Sequence, residues 1–169
     1  SMEPRTALAE FDEDGQLVVH MGTQGPHRVR TLMESALGIP AEQVRVIAPE
    51  VGGGFGCKSK FYPGEPLAAW CAQQTERPVK WQATRTESQR SDIHGRARTV
   101  DAELAFDDDG TIRGLRADSH ANLGAYVSRG APGTRTGSFV DCISGQYRIP
   151  GIHVRVRGVL TNTSPVDSY

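Results

Sequence analysis

Residues 51–58 read VGGGFGCK, with four glycines in five positions, and they lie between a strand-like run and a helix-like run. No other stretch restricts the fold as strongly. Glycine reaches backbone angles closed to other residues and has no side chain to hold a neighbour away, so such a run suggests close main-chain contact with something, a flexible surface turn being the alternative. Its bare amides suit the oxygens of a phosphate or an oxo group. An ordinary surface turn uses one or two glycines beside Asn, Asp or Ser, which is not the composition found here.

The familiar nucleotide loops do not fit. A P-loop needs Gly directly before its Lys, and Cys57 stands there, although Lys58-Ser59 would suit the end of that motif. The dinucleotide pattern GxGxxG, started at Gly52 and Gly54, also needs Gly at position 57. Flanking amides can lower a thiol pKa, so Cys57 is the one thiol in a suggestive place; a small residue substituting for Gly is the plainer reading. His20, His27, His94, His120 and His153 show no HxH or HExxH spacing, so a metal held by protein side chains is not indicated. There is no GxSxG elbow either.

The pattern around the loop predicts an α+β fold, two-layered, with a mixed β-sheet and a few packed helices. Residues 7–11 and 17–21 read as strands around the acidic turn Asp12-Glu13-Asp14-Gly15. From His27, the apolar positions Val29, Leu32, Met33, Ala36 and Leu37 fall on one helical face, with Pro26 before them and Gly38 after. Residues 44–48 form a short strand leading into the glycine loop. Residues 66–74 then read as a helix with Leu67, Trp70 and Cys71 on its packed side. Residues 79–83 suit a strand with Val79 and Trp81 inward, and Thr84 with Glu87 has capping-box spacing. Residues 100–106 and 112–122 predict a second hairpin about Asp107-Asp108-Asp109-Gly110, residues 128–138 a loop, and residues 152–160 a last strand. The two acidic hairpins echo each other. Internal duplication would explain this, and so would the general preference for such turn residues.

Length predicts one domain over residues 1–169 with a real hydrophobic core. Lys plus Arg at 19 nearly balances Asp plus Glu at 20, and no basic block is interleaved with aromatics, which argues against nucleic acid or an anionic membrane as partner. Three widely spaced cysteines without CxxC suggest reduced thiols and a cytoplasmic location. Ser1-Met2 reads as a tag scar and Tyr169 as the edge of an excised fragment, so a longer polypeptide is expected.

Taken in order, Thr23-Gln24-Gly25-Pro26-His27, the run from Ala48 to Lys58, Arg77-Pro78-Val79-Lys80, Ala121-Asn122-Leu123-Gly124-Ala125-Tyr126 and Thr161-Asn162-Thr163 resemble the molybdenum hydroxylases. The resemblance is to the first molybdopterin-binding domain in the large subunit of the xanthine dehydrogenase and aldehyde oxidase family, nearest to carbon monoxide dehydrogenase-like large chains. It covers almost the whole chain, and five ordered matches are far more specific than one GGGFG.

What the resemblance implies is specific. Gln24 resembles the glutamine whose amide hydrogen-bonds the apical oxo ligand of molybdenum, and its separation from Phe55 matches the family's spacing. Phe55 and Gly56 resemble the pair whose main chain approaches the metal and the pterin, with Gly53, Gly54 and Cys57 completing the cofactor-binding loop. The metal would be held by the pterin dithiolene, and the cytosine dinucleotide form of the cofactor is expected. The implied chemistry is oxidation of carbon monoxide, an aldehyde or an N-heterocycle, with water as oxygen source. The implied partners are the remaining large-subunit domain, an iron–sulfur subunit and an FAD subunit.

The family's arginine-containing loop and C-terminal glutamate have no counterpart here, so no catalytic residue is assigned and the fragment alone is expected to be inactive. Cys57 stands where the family has Gly or Asn, and Ser59 where purine-oxidising members have Glu, which weakens a xanthine reading. The rival from another class is a stand-alone, non-catalytic α+β module whose glycine loop binds an anion or a protein.

Overall fold

The structure is a computed structural model that describes residues 1–167; Tyr169, expected as a fragment edge, lies outside the described residues. The chain divides into two units, Ser1–Asp92 and Ile93–Tyr169.

The first unit is a four-stranded sheet carrying two helices. Strands β1 (Thr6–Phe11) and β2 (Leu17–Met21) form the hairpin expected from the acidic turn. There Asp12 Oδ1 accepts hydrogen bonds from the amides of Asp14 (3.1 Å) and Gln16 (2.8 Å). Strand β3 (Val44–Ile47) lies parallel to β2, β4 (Val79–Gln82) lies antiparallel to β1, and the order is β3-β2-β1-β4. A β2-to-β3 parallel pair requires a crossover, which helix α1 (Pro26–Leu37) supplies. Pro26 opens this helix, and Gly38 closes it in the left-handed conformation at φ 71°.

Helix α2 (Gly64–Thr75) follows the glycine loop and departs from expectation in one respect. Its buried face is Glu65, Ala68, Ala69 and Ala72, while Leu67 and Trp70 are exposed at 56% and 49%. Small side chains let the helix settle close to the sheet, where Ala7 and Ala9 of β1 are also small and fully buried. Ala7, Ala9, Leu17, Val19, Met21, Val29 and Met33 join these alanines in one core, with Val79 and Trp81 partly buried against it as expected. Helix α3 (Arg85–Ser91) begins with the expected capping box of Thr84 and Glu87.

The second unit is a three-stranded sheet in the order β5-β6-β7. Strands β5 (Arg98–Phe106) and β6 (Ile112–Gly124) form the second acidic hairpin, and β7 (Ile152–Leu160) runs parallel to β6. Each unit therefore repeats one scheme, an antiparallel hairpin followed by a parallel third strand. Alternation along β6 buries Ala117, Ser119 and Ala121 and places Arg116 and Asp118 on the other face, where they pair with Glu103 and Arg155.

Residues 128–138 are not the plain loop that their Gly, Pro and Thr content suggested. They contain a π-helical turn, Gly133–Gly137, which continues into a short helix α4 (Ser138–Cys142). The runs Ala121 to Tyr126 and Thr161 to Thr163 meet through Asn122. Its Oδ1 accepts from Gly124 N and Thr161 Oγ1, both at 2.7 Å, and its Nδ2 donates to Thr163 Oγ1 at 2.9 Å. Among the described residues, no helix is long and apolar enough to cross a membrane.

Candidate functional site

The glycine loop leaves the end of β3 and closes in a 3-10 turn, Cys57–Ser59, before α2. Four of its residues have left-handed backbones: Gly52 (φ 65°), Gly53 (φ 81°), Phe55 (φ 51°) and Gly56 (φ 84°). For Phe55 this conformation is strained, and its ring is 71% exposed, so core packing does not hold it there. A Cβ at Gly52 would lie 1.9 Å from the carboxylate of Glu3, and one at Gly53 would lie 2.5 Å from the Phe55 ring. The loop is bare because its neighbours fill the space a side chain would take.

Gln24, at the turn between β2 and α1, meets this loop. Its Oε1 accepts a hydrogen bond from Gly56 N at 3.1 Å, and its own backbone amide donates to the carbonyl of Lys58 at 2.9 Å. A Cβ at Gly54 would sit 2.2 Å from that same Oε1. Because Gly56 supplies a donor, the amide oxygen of Gln24 must face it, which leaves the Nε2 group as the donor turned elsewhere. Gln24 itself is exposed. The amides of Gly53, Gly54 and Phe55 donate to nothing among the described residues, so the loop presents a row of unpaired N–H groups beside a side-chain amide donor.

The structure thus brings Gln24, Gly54 and Gly56 into direct contact and places Gly53 and Phe55 on the same turn. Cys57 is half-buried, and its amide closes the turn onto Gly54 O at 3.0 Å. In the first unit, then, Cys57 serves as a turn residue.

Lys58 was missed as an organising residue. It is 3% exposed, and its ammonium donates to the carbonyl of Val51 at the opposite end of the loop. Its own carbonyl accepts from Gln24 N and from Thr23 Oγ1, the latter at 3.3 Å. One residue therefore ties both ends of the glycine run to the Gln24 turn. Burial pushes its pKa down, and the charge of Glu3 partly offsets this. Nothing in the local sequence distinguishes a lysine that folds back under a loop from one that points into water.

Among the described residues, no group of three or more His, Cys, Asp or Glu side chains is placed to hold a metal ion. The donors at the loop are amides. They fit an oxygen-rich or anionic group, as a cofactor carrying its own metal would present, and not a bare cation.

Comparison with known proteins follows the same direction. The family model for the molybdopterin cofactor-binding domain matches residues 1–169. The chain is 38% identical over 165 residues to the carbon monoxide dehydrogenase large chain of Hydrogenophaga pseudoflava, covering 97% of this chain and 20% of that one. It is 32% identical over 168 residues to the 6-hydroxypseudooxynicotine dehydrogenase complex subunit gamma of Paenarthrobacter nicotinovorans, covering 99% and 21%. Among solved structures, quinoline 2-oxidoreductase from Pseudomonas putida 86 superposes with a TM-score of 0.91 at 32% identity, over 99% of this chain and 22% of that one. The chain spans about a fifth of the length of these relatives. With its whole length matched and its glycine loop seated on Gln24, the chain belongs to the molybdopterin cofactor-binding domain family.

Proposed function

We propose that the glycine loop and Gln24 form one wall of the molybdenum–pterin site of a molybdenum hydroxylase large subunit. The observation that carries this reading is the hydrogen bond from Gly56 N to Gln24 Oε1, which joins residues far apart in sequence and commits the amide oxygen of Gln24 to the loop, leaving Nε2 to donate elsewhere.

Each residue then has a definite task. Gly53 and Gly54 leave room for the Phe55 ring and the Gln24 amide to lie against the loop, and the amides of Gly53, Gly54 and Phe55 offer hydrogen bonds to the cofactor's electron-rich atoms. Gln24 adds a donor without adding charge, which suits a site beside an electrophilic metal. Cys57 and Lys58 hold the loop's curvature. When bound, the cofactor supplies the oxidation chemistry, for carbon monoxide, an aldehyde or an N-heterocycle, with water as oxygen source. The cytosine dinucleotide form, an iron–sulfur subunit, an FAD subunit and a cytoplasmic location complete the proposal.

The non-catalytic module is not favoured, since the relatives compared above are named as dehydrogenases and oxidoreductases. Metal and pterin analysis of the full-length protein purified from its source tests the reading. Molybdenum and pterin in equal amounts are expected; active protein devoid of both would sink it.

A further inference from the structure

A hollow of about 860 Å³ opens in the second unit, away from the glycine loop in sequence. Its charged lining among the described residues is Arg96, Arg98, Arg135 and Asp167, so three guanidinium groups face one carboxylate. Asp167 is 1% exposed and accepts hydrogen bonds from Thr134 Oγ1 at 2.7 Å and from the Ser128 hydroxyl, so hydroxyl groups share its charge. Arg98 is held by Ser119 Oγ at 2.8 Å and by the Arg135 carbonyl, and it stacks over Phe139 at 4.1 Å.

Arg135 is the unsatisfied member. It is 5% exposed, it donates to Ala97 O at 3.2 Å, and its buried Nε has no hydrogen-bond partner among the described residues. A guanidinium out of water is costly unless acceptors surround it, and buried polar atoms without partners are rare. Burial pushes the pKa values of Arg98 and Arg135 down, and in each case a neighbouring arginine adds to the effect, which the Asp167 carboxylate partly offsets at Arg135. Arg96 and Ala97, at the rim, have left-handed backbones at φ 70° and 42°. Beside the cations, Phe139 and Ile143 form an apolar wall.

We propose that this hollow is a binding site for a small organic oxyanion, a carboxylate or phosphate ester whose apolar body lies against Phe139 and Ile143. Arginine is the side chain best shaped to hold such groups through paired N–H donors. The volume lies within the range of small-molecule sites, roughly 300–1,000 Å³. The inference is independent of the molybdenum–pterin reading, because it uses none of the residues of the first unit.

Titration calorimetry on the full-length protein in low-chloride buffer tests it, with benzoate, phenyl phosphate and neutral benzamide as probes. Saturable binding of benzoate or phenyl phosphate, with little of benzamide, is expected, and whichever anion is tighter identifies the head group. Arg96→Gln removes one rim charge from an exposed position and should weaken the anion about 5-fold, with an unchanged melting temperature in its absence. No saturable anion binding, benzamide binding as tight as benzoate, or an Arg96→Gln variant of unchanged affinity would each overturn the proposal.

Discussion

Gly54 and Gln24 are packed so closely that one methyl group on Gly54 would lie 2.2 Å from the amide oxygen that Gly56 N holds. Gly54 itself has no left-handed backbone, so Gly54→Ala tests space alone. The flexible end of Gln24 should swing away and leave the Gly56 amide without its acceptor. A loss of about 1 kcal/mol in stability is expected, with faster hydrogen exchange at Gly56. Unchanged exchange at that amide would contradict the contact.

Gln24→Ala in the full-length protein removes both the Nε2 donor and the Oε1 acceptor of Gly56 N. Stability should fall by about 1 kcal/mol, as for Gly54→Ala, while turnover should fall by roughly 10²-fold, as for loss of a preorganised donor. Full activity in this variant would remove Gln24 from the site.

Lys58→Met keeps the buried aliphatic stem and deletes the ammonium that holds Val51 O. The glycine run then loses one of its two ties. Destabilisation of about 1 kcal/mol and increased amide exchange across residues 51–56 are expected, together with lower pterin content in the full-length protein. Retention of wild-type exchange and pterin content would show that Lys58 organises nothing.

Glu65, at the start of α2, is 2% exposed, and burial raises its pKa from 4.5 to about 7 despite the hydrogen bond it accepts from Tyr62 N at 3.0 Å. The folded state therefore binds this proton more tightly than the unfolded chain does. The stabilising contribution is fully present below pH 4.5 and is lost as pH rises toward 7. Glu65→Gln keeps an acceptor for Tyr62 and cannot ionise. Its stability relative to wild type should rise by roughly 3 kcal/mol between pH 4 and pH 8 in chemical denaturation. A difference that stays flat over that span would mean the carboxyl is not desolvated.

Glu76 caps the C-terminus of α2 in the left-handed conformation, at φ 54°, and is exposed. Glycine adopts that conformation without a Cβ penalty, and it commonly ends helices in this way. Glu76→Gly should raise stability by about 0.5–1 kcal/mol, read from the denaturation midpoint. A destabilised variant would show that the Glu76 side chain makes a contribution that outweighs its backbone strain.

The strands, the helix from Pro26 to Leu37, both acidic hairpins and the Thr84 capping box were legible in the sequence. Each depends on residues within a few positions of one another, through periodicity, turn chemistry or capping. The glycine loop was legible for the same reason, and Gln24 entered through the spacing it shares with a known family. The packed face of α2 was not legible. Leu67 and Trp70 are the more apolar residues, yet the alanines face the sheet because Ala7 and Ala9 leave room only for a close approach. The π-helical turn around Arg135 was hidden by a composition that favours loops.

By itself, then, the sequence determined the local elements and the bare backbone of residues 52–56. Only tertiary structure decided that Gly56 donates to Gln24, that Lys58 lies buried beneath the loop, and that Arg96, Arg98 and Arg135 share one hollow. These are contacts between distant segments, and their energies depend on burial and on the partner that folding delivers, neither of which a local pattern of residue types contains.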